Sequence, residues 1–271
     1  MFTLFIVATP IGNLEDISFR AVRKLKEVSL IASEDTRTTM RLMKHYGINT
    51  TMISYYEHNK QSKLRYILNK LEEGDVALVS EAGMPAISDP GYELVVAALQ
   101  QKINIVVIPG ASAFVSALAI SGLPTDACHY LGFLPRKASE RKKRLASVAQ
   151  EKVTLAFYEA PHRIQESLHD ILSVLGNRRI AVCRELTKIH EEVFRGTVME
   201  ACVYFEQPKG EFSIIVEGNI EEKAQINSNE VHYQLMKLKK SGLSAKEALS
   251  MVAMNSEVSH RELYREWLQL K

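Results

Sequence analysis

Val76-Ala-Leu-Val-Ser-Glu-Ala-Gly-Met-Pro-Ala-Ile-Ser-Asp-Pro-Gly91 is the stretch on which the reading of the fold turns. It begins as an apolar strand, Val76–Ser80, and runs straight into a loop with prolines at 85 and 90 and glycines at 83 and 91. Glycine lets backbone approach a ligand closely, and proline lowers the entropy lost when a loop is ordered. A long ordered loop at the carboxyl end of a strand is where open parallel sheets bind small molecules. An ordinary surface turn has a similar composition, so the loop needs support from its neighbours.

That support lies on both sides. Downstream, Val106-Val-Ile-Pro-Gly-Ala-Ser-Ala113 is again strand, tight turn and helix start, and free amides at a helix start suit a carboxylate or hydroxyl-rich ligand. Upstream, the first strand, Leu4–Ala8, is followed by Thr9-Pro-Ile-Gly-Asn13, a rigid turn with one glycine. Neither Gly-x-Gly-x-x-Gly nor a Gly-Lys-Ser/Thr loop follows that strand, which argues against a nicotinamide dehydrogenase, a P-loop NTPase and the usual glycine-rich S-adenosylmethionine fold.

Further out, Leu30–Ser33, Met52–Tyr55 and Ile105–Ile108 read as strands. Between them helices are expected at Ile17–Val28, Thr36–Tyr46 (closed by Gly47), Lys60–Glu73 (ended by Gly74), Tyr92–Lys102 and Ala113–Ser121. This alternation is the pattern of a parallel sheet with crossover helices. Gly122-Leu-Pro-Thr-Asp126 then clusters turn formers at a domain boundary. Strands are expected again at His129–Gly132, Val153–Tyr158, Arg179–Arg184 and Ser213–Glu217, with helices at Ser139–Gln150 and Pro161–Leu175. Glu221–Asn229 reads as a polar linker. Three short helices follow, Val231–Lys240, Ala245–Met254 and His260–Leu270, with Ser244 and Ser259 as N-caps. The expected fold is α/β: two α/β domains over 1–121 and 122–220, and a small C-terminal helical module over 230–271.

At 271 residues and 46% hydrophobic content the chain is long enough for two cores. A net charge of +2 permits a nucleic-acid partner only through a local basic patch. The three cysteines, Cys128, Cys183 and Cys202, are scattered and form no zinc motif, so they are expected to be reduced in a cytoplasmic protein. The N-terminus lacks the basic flank of a signal peptide, and no apolar run is long enough to cross a bilayer, so no membrane partner is expected.

Several segments, in order from residue 4 to about residue 265, carry a resemblance. They are Thr9-Pro-Ile-Gly-Asn-Leu-Glu-Asp-Ile-Ser18, Glu34-Asp-Thr-Arg37, the Glu81–Gly91 loop, Pro109-Gly-Ala-Ser112 and Gly132-Phe-Leu-Pro-Arg136. Tyr158-Glu-Ala-Pro-His-Arg163, Arg184-Glu-Leu-Thr-Lys188 and Gly210-Glu-Phe212 complete the set. Together they resemble the tetrapyrrole methylase superfamily, and within it the branch that methylates the 2′-hydroxyl of a cytidine in the decoding region of small-subunit ribosomal RNA. The resemblance implies a homodimer that binds S-adenosylmethionine, folded rather than extended, in a cleft between two α/β domains. It implies a cofactor pocket drawing on Pro10, Glu81, Ala82, Gly83, Ile87, Ser112 and Ala113, joined by Tyr158, Glu159 and the neighbourhood of Phe212. The family loop normally reads Asp-Ala-Gly-Thr-Pro. Here Glu81 carries the charge one methylene further out, and Met84 replaces a hydroxyl.

Methyl transfer from a sulfonium is an in-line displacement with a neutral leaving group, so the transfer is expected to need no metal, and positioning supplies much of the catalysis. A ribose hydroxyl is very weakly acidic, so a proton acceptor helps. Glu34, Asp35, Glu81 and Glu185 are the candidates, unranked; carboxylates in loops also serve as helix caps or surface charges. Arg37, Arg163, Arg184 and Lys188 lie in the family-like motifs and either contact RNA phosphates or form structural ion pairs, such as Arg184 with Glu185. Arg136, Lys137, Arg141, Lys142, Lys143 and Arg144, opposed only by Glu140, form the densest basic run. That run is a solvated helix face or the RNA footprint. Tyr55, Tyr56 and His58 either stack on a base or pack at a strand end. The C-terminal helices resemble a helix-turn-helix in outline, although three short amphipathic helices are more often a packing module. Two other readings compete with small-subunit ribosomal RNA or the ribosomal subunit as partner. One is a methyltransferase with a tetrapyrrole or diphthine-type substrate; the other is a non-catalytic RNA-binding protein of the same fold.

Overall fold

In the computed structural model, which describes residues 2–206, 209–220, 228–241, 243–254 and 260–270, the first half of the chain builds one parallel sheet. Its strands are β1 (Thr3–Val7), β2 (Leu30–Ser33), β3 (Met52–Ser54), β4 (Val76–Val79) and β5 (Asn104–Ile108). They lie in the order β3-β2-β4-β1-β5. Every residue of β2 and β4 is buried, which is why both read as unbroken apolar runs: strands covered on both faces do not alternate.

The crossovers are α1 (Phe19–Glu27), α2 (Thr36–Tyr46), α3 (Lys60–Glu73) and α4 (Tyr92–Gln100), and α5 (Ala113–Ile120) leads from β5 to the second sheet. The helix expected from Ile17 starts later. Leu14–Asp16 form a short 3₁₀ turn, and the Ser18 side chain then caps α1 by accepting from the Ala21 N–H. Gly47 ends α2 in the left-handed region at φ 60°, the C-terminal geometry that favours glycine.

The second half supplies β6 (Cys128–Phe133), β7 (Thr154–Glu159), β8 (Arg179–Arg184), β9 (Glu192–Thr197) and β10 (Phe212–Val216), in the order β6-β7-β10-β8-β9. Only β6 and β7 run parallel; the β7–β10, β10–β8 and β8–β9 pairings are antiparallel. The sheet is therefore mixed, unlike the parallel arrangement that the alternation suggests. Strand β9 was not expected, because Glu-Val-Phe-Arg-Gly-Thr carries charge and a glycine on a half-exposed sheet edge. Helices α6 (Ala138–Ala146), α7 (Ile164–Leu175) and α8 (Val198–Tyr204) cover it. Helix α8 also went unread, although its signature is present: Thr197 and Glu200 form a reciprocal capping box.

The two sheets are not separate bodies. Helix α5 packs against β7, β8 and β10, and Ile11 joins Ala117, Ala156, Ala181, Cys183 and Ile215 in one buried cluster. Met1–Asn219 form one compact unit. Ile220–Lys271 form a second, where α9 (Ser228–Lys240), α10 (Ala245–Met254) and α11 (His260–Gln269) enclose Leu235, Leu249, Val252, Leu263 and Leu270. Ser259 and most of the expected linker lie outside the described residues.

Candidate active site

Strand order decides where the site forms. The chain passes from β1 over β4 to β2, so β1 and β4 are neighbours whose connections leave in different directions. Such a switch point leaves a crevice at the carboxyl ends of the strands. The loops leaving β1 and β4 meet there: the Thr9 N–H donates to the Gly83 carbonyl at 2.9 Å and the Gly83 N–H to the Thr9 carbonyl at 3.1 Å. Gly83 has φ +79°, and Ala86 and Ser88 also hold left-handed backbone, at 67° and 63°. For residues with a Cβ this costs roughly 1–2 kcal/mol each, so the loop is held in shape by its surroundings. One such hold is a 2.7 Å hydrogen bond between the Ser88 and Tyr130 hydroxyls, reaching across to the second sheet.

Between the sheets lies a cleft of about 910 Å³. Pro10, Glu81, Ala82, Gly83, Ile87, Ser112, Ala113, Tyr158, Glu159 and Phe212, the residues expected to bind the cofactor, all line it. Tyr158 is fixed by accepting from the Phe114 N–H at 3.0 Å and by edge contact with the Tyr130 ring. Burial, with Tyr130 beside it, raises the proton affinity of its hydroxyl. The Glu159 carboxylate is engaged internally. It accepts from the Ala160 N–H and the Ser167 hydroxyl and pairs with Arg163 at 3.3 Å.

The candidate proton acceptors separate. Glu34 and Glu81 line the cleft, and the Glu81 N–H donates to Glu34 at 3.1 Å. Burial raises the Glu34 pKa, the hydrogen bond from Glu81 opposes the rise, and the charges of Glu81 and Asp35 add to it. Asp35 does not line the cleft. It caps α2 by accepting from the Arg37 and Thr38 N–H groups, and its hydrogen bonds from Arg37 hold its carboxyl below the usual range. Glu185 is likewise committed, to Lys188 at 2.9 Å and to the Glu211 N–H at 2.9 Å.

One carboxylate was missed in the sequence. Asp89 lines the cleft beside Ser80, Glu34 and Glu81, and burial followed by the Glu34 charge pushes its pKa up to about 7. Its position in the Ser88-Asp-Pro-Gly91 turn was the available signal. Arg41 of α2 also lines the cleft and was not anticipated. The Glu81 side chain accepts a long 3.4 Å hydrogen bond from Thr38, and Met84 packs against the core of the first sheet in place of a hydroxyl.

The basic candidates divide too. Lys188 lines the cleft but is paired with Glu185 and Glu211. Arg37 is exposed and paired with Asp35. Arg163 donates to the Leu134 and Pro135 carbonyls, and Arg184 pairs with Glu192 at 3.0 Å rather than with Glu185. Arg141 is 1% exposed and bound to Asp170 at 2.7 Å, which removes it from any surface footprint: its guanidinium joins α6 to α7. Arg136, Lys142, Lys143 and Arg144 stay exposed, Lys142 with Asp170 as a partner at 3.3 Å.

The lining fits S-adenosylmethionine in size and chemistry. Pockets for ligands of that size run to about 1,000 Å³. The carboxylates of Glu34, Glu81 and Asp89 suit a cation, Ile11, Met84 and Ile87 suit apolar surface, and Ala82 and Gly83 border the cleft. Among the described residues no group of three His, Cys, Asp or Glu is placed to hold a metal, and no helix is long and apolar enough to cross a membrane.

Comparison with known proteins agrees in kind. The model of the Tetrapyrrole (Corrin/Porphyrin) Methylases matches residues 3–202. "Ribosomal RNA small subunit methyltransferase I" of Halalkalibacterium halodurans is 48% identical, covering 97% of this chain and 93% of that protein. The protein of the same name from Thermotoga maritima is 46% identical, with 99% of its length aligned to 80% of this chain. In three dimensions, the crystal structure of uroporphyrin III C-methyltransferase from Thermus thermophilus superposes with a TM-score of 0.58 at 17% identity, covering 79% of this chain and 97% of that one. The chain belongs to the tetrapyrrole methylase family and is a methyltransferase that takes its methyl group from S-adenosylmethionine.

Proposed function

We propose that this chain transfers the methyl group to the ribose 2′-hydroxyl of a cytidine in the decoding region of small-subunit ribosomal RNA, in the cytoplasm. The observation that carries the reading is near-full-length similarity, at 48% identity, to a protein named as a small-subunit ribosomal RNA methyltransferase. Surface charge supports it, since Arg136, Lys143 and Arg144 present an exposed basic face on a chain whose net charge is only +2.

The bound donor supplies an electrophilic methyl on a sulfonium, and its departure leaves a neutral thioether. The chain's own part is to hold the nucleophile in line and to receive its proton. We assign proton acceptance to the Glu34–Glu81 pair, because these two of the four candidate carboxylates reach the cleft. Burial of Glu34 raises its affinity for a proton, in the direction a general base for a weak acid needs. Tyr158 and the Ser88–Tyr130 hydrogen bond keep the two cleft walls in register. We also propose a homodimer, supported by the open edge of β5 and its exposed Val107, and by exposed Leu99 on α4 and Val115 on α5.

The product reports on the acceptor atom. Methylation of a 2′-hydroxyl removes the internal nucleophile of alkaline hydrolysis, so the modified linkage survives alkali. Unmodified small subunits incubated with enzyme and labelled donor are expected to give one gap in the alkaline ladder, at a decoding-region cytidine. Label on a base with an unbroken ladder would refute the ribose reading and leave the cofactor site intact.

A further inference from the structure

Between β8 and β9 the chain turns through Glu185–Glu191, and the turn is held more stiffly than a hairpin loop requires. Glu185 and Thr187 both have left-handed backbone, at φ 51° and 68°, which residues with a Cβ adopt only where their surroundings dictate it. Here they do. The Glu185 N–H donates to the Glu211 carbonyl at 3.0 Å, and the Lys188 N–H to the Glu185 carbonyl at 3.0 Å. The Thr187 N–H donates to the Glu191 carboxylate at 2.6 Å, and the Lys188 ammonium sits between Glu185 and Glu211. The opposite wall of the cleft holds the turn as well. The Asn13 N–H donates to the Thr187 hydroxyl at 3.1 Å, and a Cβ on Gly12 would stand 2.4 Å from Lys188 Cγ.

Leu186 and Lys188 of this turn line the cleft, while the next residue, Ile189, is 97% exposed. Single exposed aliphatic side chains are common and by themselves mean nothing. This one stands on a stiff support at the lip of the cleft where the substrate reacts.

We propose that Ile189 is a wedge for folded RNA, packing against the base next to the target nucleotide and replacing the stacking that the target gives up. The proposal rests on the reading of the chain as a ribosomal RNA methyltransferase. A nucleotide that reaches into a cleft between two sheets has to leave its stack, and proteins that open a stack commonly insert an apolar side chain between base steps. Lys188, whose charge is shared by Glu185 and Glu211, holds the turn and leaves the apolar tip to meet the base. Ile189 is thus a positioning residue, removed from the transferring methyl.

The test compares wild type, Ile189→Ala and Ile189→Leu as full chains. Two RNAs are used: a folded decoding-region transcript and a short unstructured oligonucleotide with the same cytidine. Ile189→Ala is expected to lower kcat/KM on the folded RNA about tenfold, the equivalent of one stacked base, and to change the oligonucleotide rate by less than about twofold. Ile189→Leu is expected to restore most of the rate. Donor affinity by calorimetry and the melting temperature are expected to stay at the wild-type values, because the side chain is exposed. Equal losses on both RNAs, or none on the folded one, would overturn the wedge. So would dissociation of a dimer in sedimentation velocity, which would assign the side chain to an interface between copies. A wild type that methylates neither RNA removes the functional reading itself, whereas an active wild type with an unaffected variant removes the wedge alone.

Discussion

Asp89 shows what the cleft does to a single group. Half-burial, with the Glu34 and Glu81 charges beside it, pushes its pKa up to about 7 from the ordinary 3.8. Because the folded chain holds that proton more tightly than the unfolded chain, the stabilisation is full below about pH 4 and is lost as pH rises through 7. Asp89→Asn removes the titration and leaves a neutral side chain of similar size. The variant is expected to melt a few degrees above wild type at pH 8, with the gain shrinking towards pH 5. Scanning fluorimetry across that range reads it, and a gain that does not vary with pH would show that the Asp89 charge is not the cause. The other carboxylates differ in their partners: Asp35 has the Arg37 and Thr38 N–H groups, Glu185 has Lys188 and the Glu211 N–H, and Glu34 is raised by burial and by the Glu81 charge.

At the scale of elements, α6 carries two kinds of cation in one short run. Arg141 and Leu145 point inward one turn apart, whereas Lys142, Lys143 and Arg144 face out. Arg141→Ala removes the buried partner of Asp170 and leaves it only the exposed Lys142, so the variant is expected to destabilise the fold by about 3 kcal/mol, the lower end for a broken buried pair. The exposed triple change Arg136→Glu, Lys143→Glu, Arg144→Glu is expected to leave stability nearly unchanged. It is also expected to weaken RNA binding and flatten its salt dependence by roughly one unit of slope for each phosphate that is no longer neutralised. Chemical denaturation and RNA binding over a salt series separate the two effects. A salt slope identical to wild type in the triple variant would reduce the run to a solvated face.

For the whole molecule, the strand order brings the loops after β1, β4 and β5 to one end of the first sheet, and α5 carries that sheet onto the second. The described cleft lining ends at Ser213, inside the Met1–Asn219 unit, and the Thermotoga maritima relative aligns almost entirely within 80% of this chain. The first sheet ends on β3 and β5, and β5, paired with β1 on one side, presents an edge of the kind that pairs or packs with another chain unless it is covered. Val107→Asp places a charge at the exposed, apolar position of that strand. It is expected to convert a dimer into monomers in sedimentation velocity at micromolar concentration, without loss of donor affinity. A wild type that sediments as a monomer at tens of micromolar would remove the dimer from the proposal.

How much of this was legible without a structure follows from the range of the interactions involved. Strands β2 and β4 were readable because a strand buried on both faces must be apolar throughout, and that demand is written locally. Ser18, Gly47 and the Thr197–Glu200 box likewise mark helix ends through interactions within a few residues. The cofactor residues came from resemblance to a family; composition and spacing alone pointed only to two loops. The direction of the second sheet's strands, the withdrawal of Arg141 to Asp170, the clamp on Glu185 from Glu211 and the pressure of Glu34 on Asp89 were out of reach. The last three join groups 26 to 55 residues apart. Which of several similar charges is buried, paired or left open is settled when distant segments pack, since low dielectric and desolvation act only on groups that the fold has already brought together.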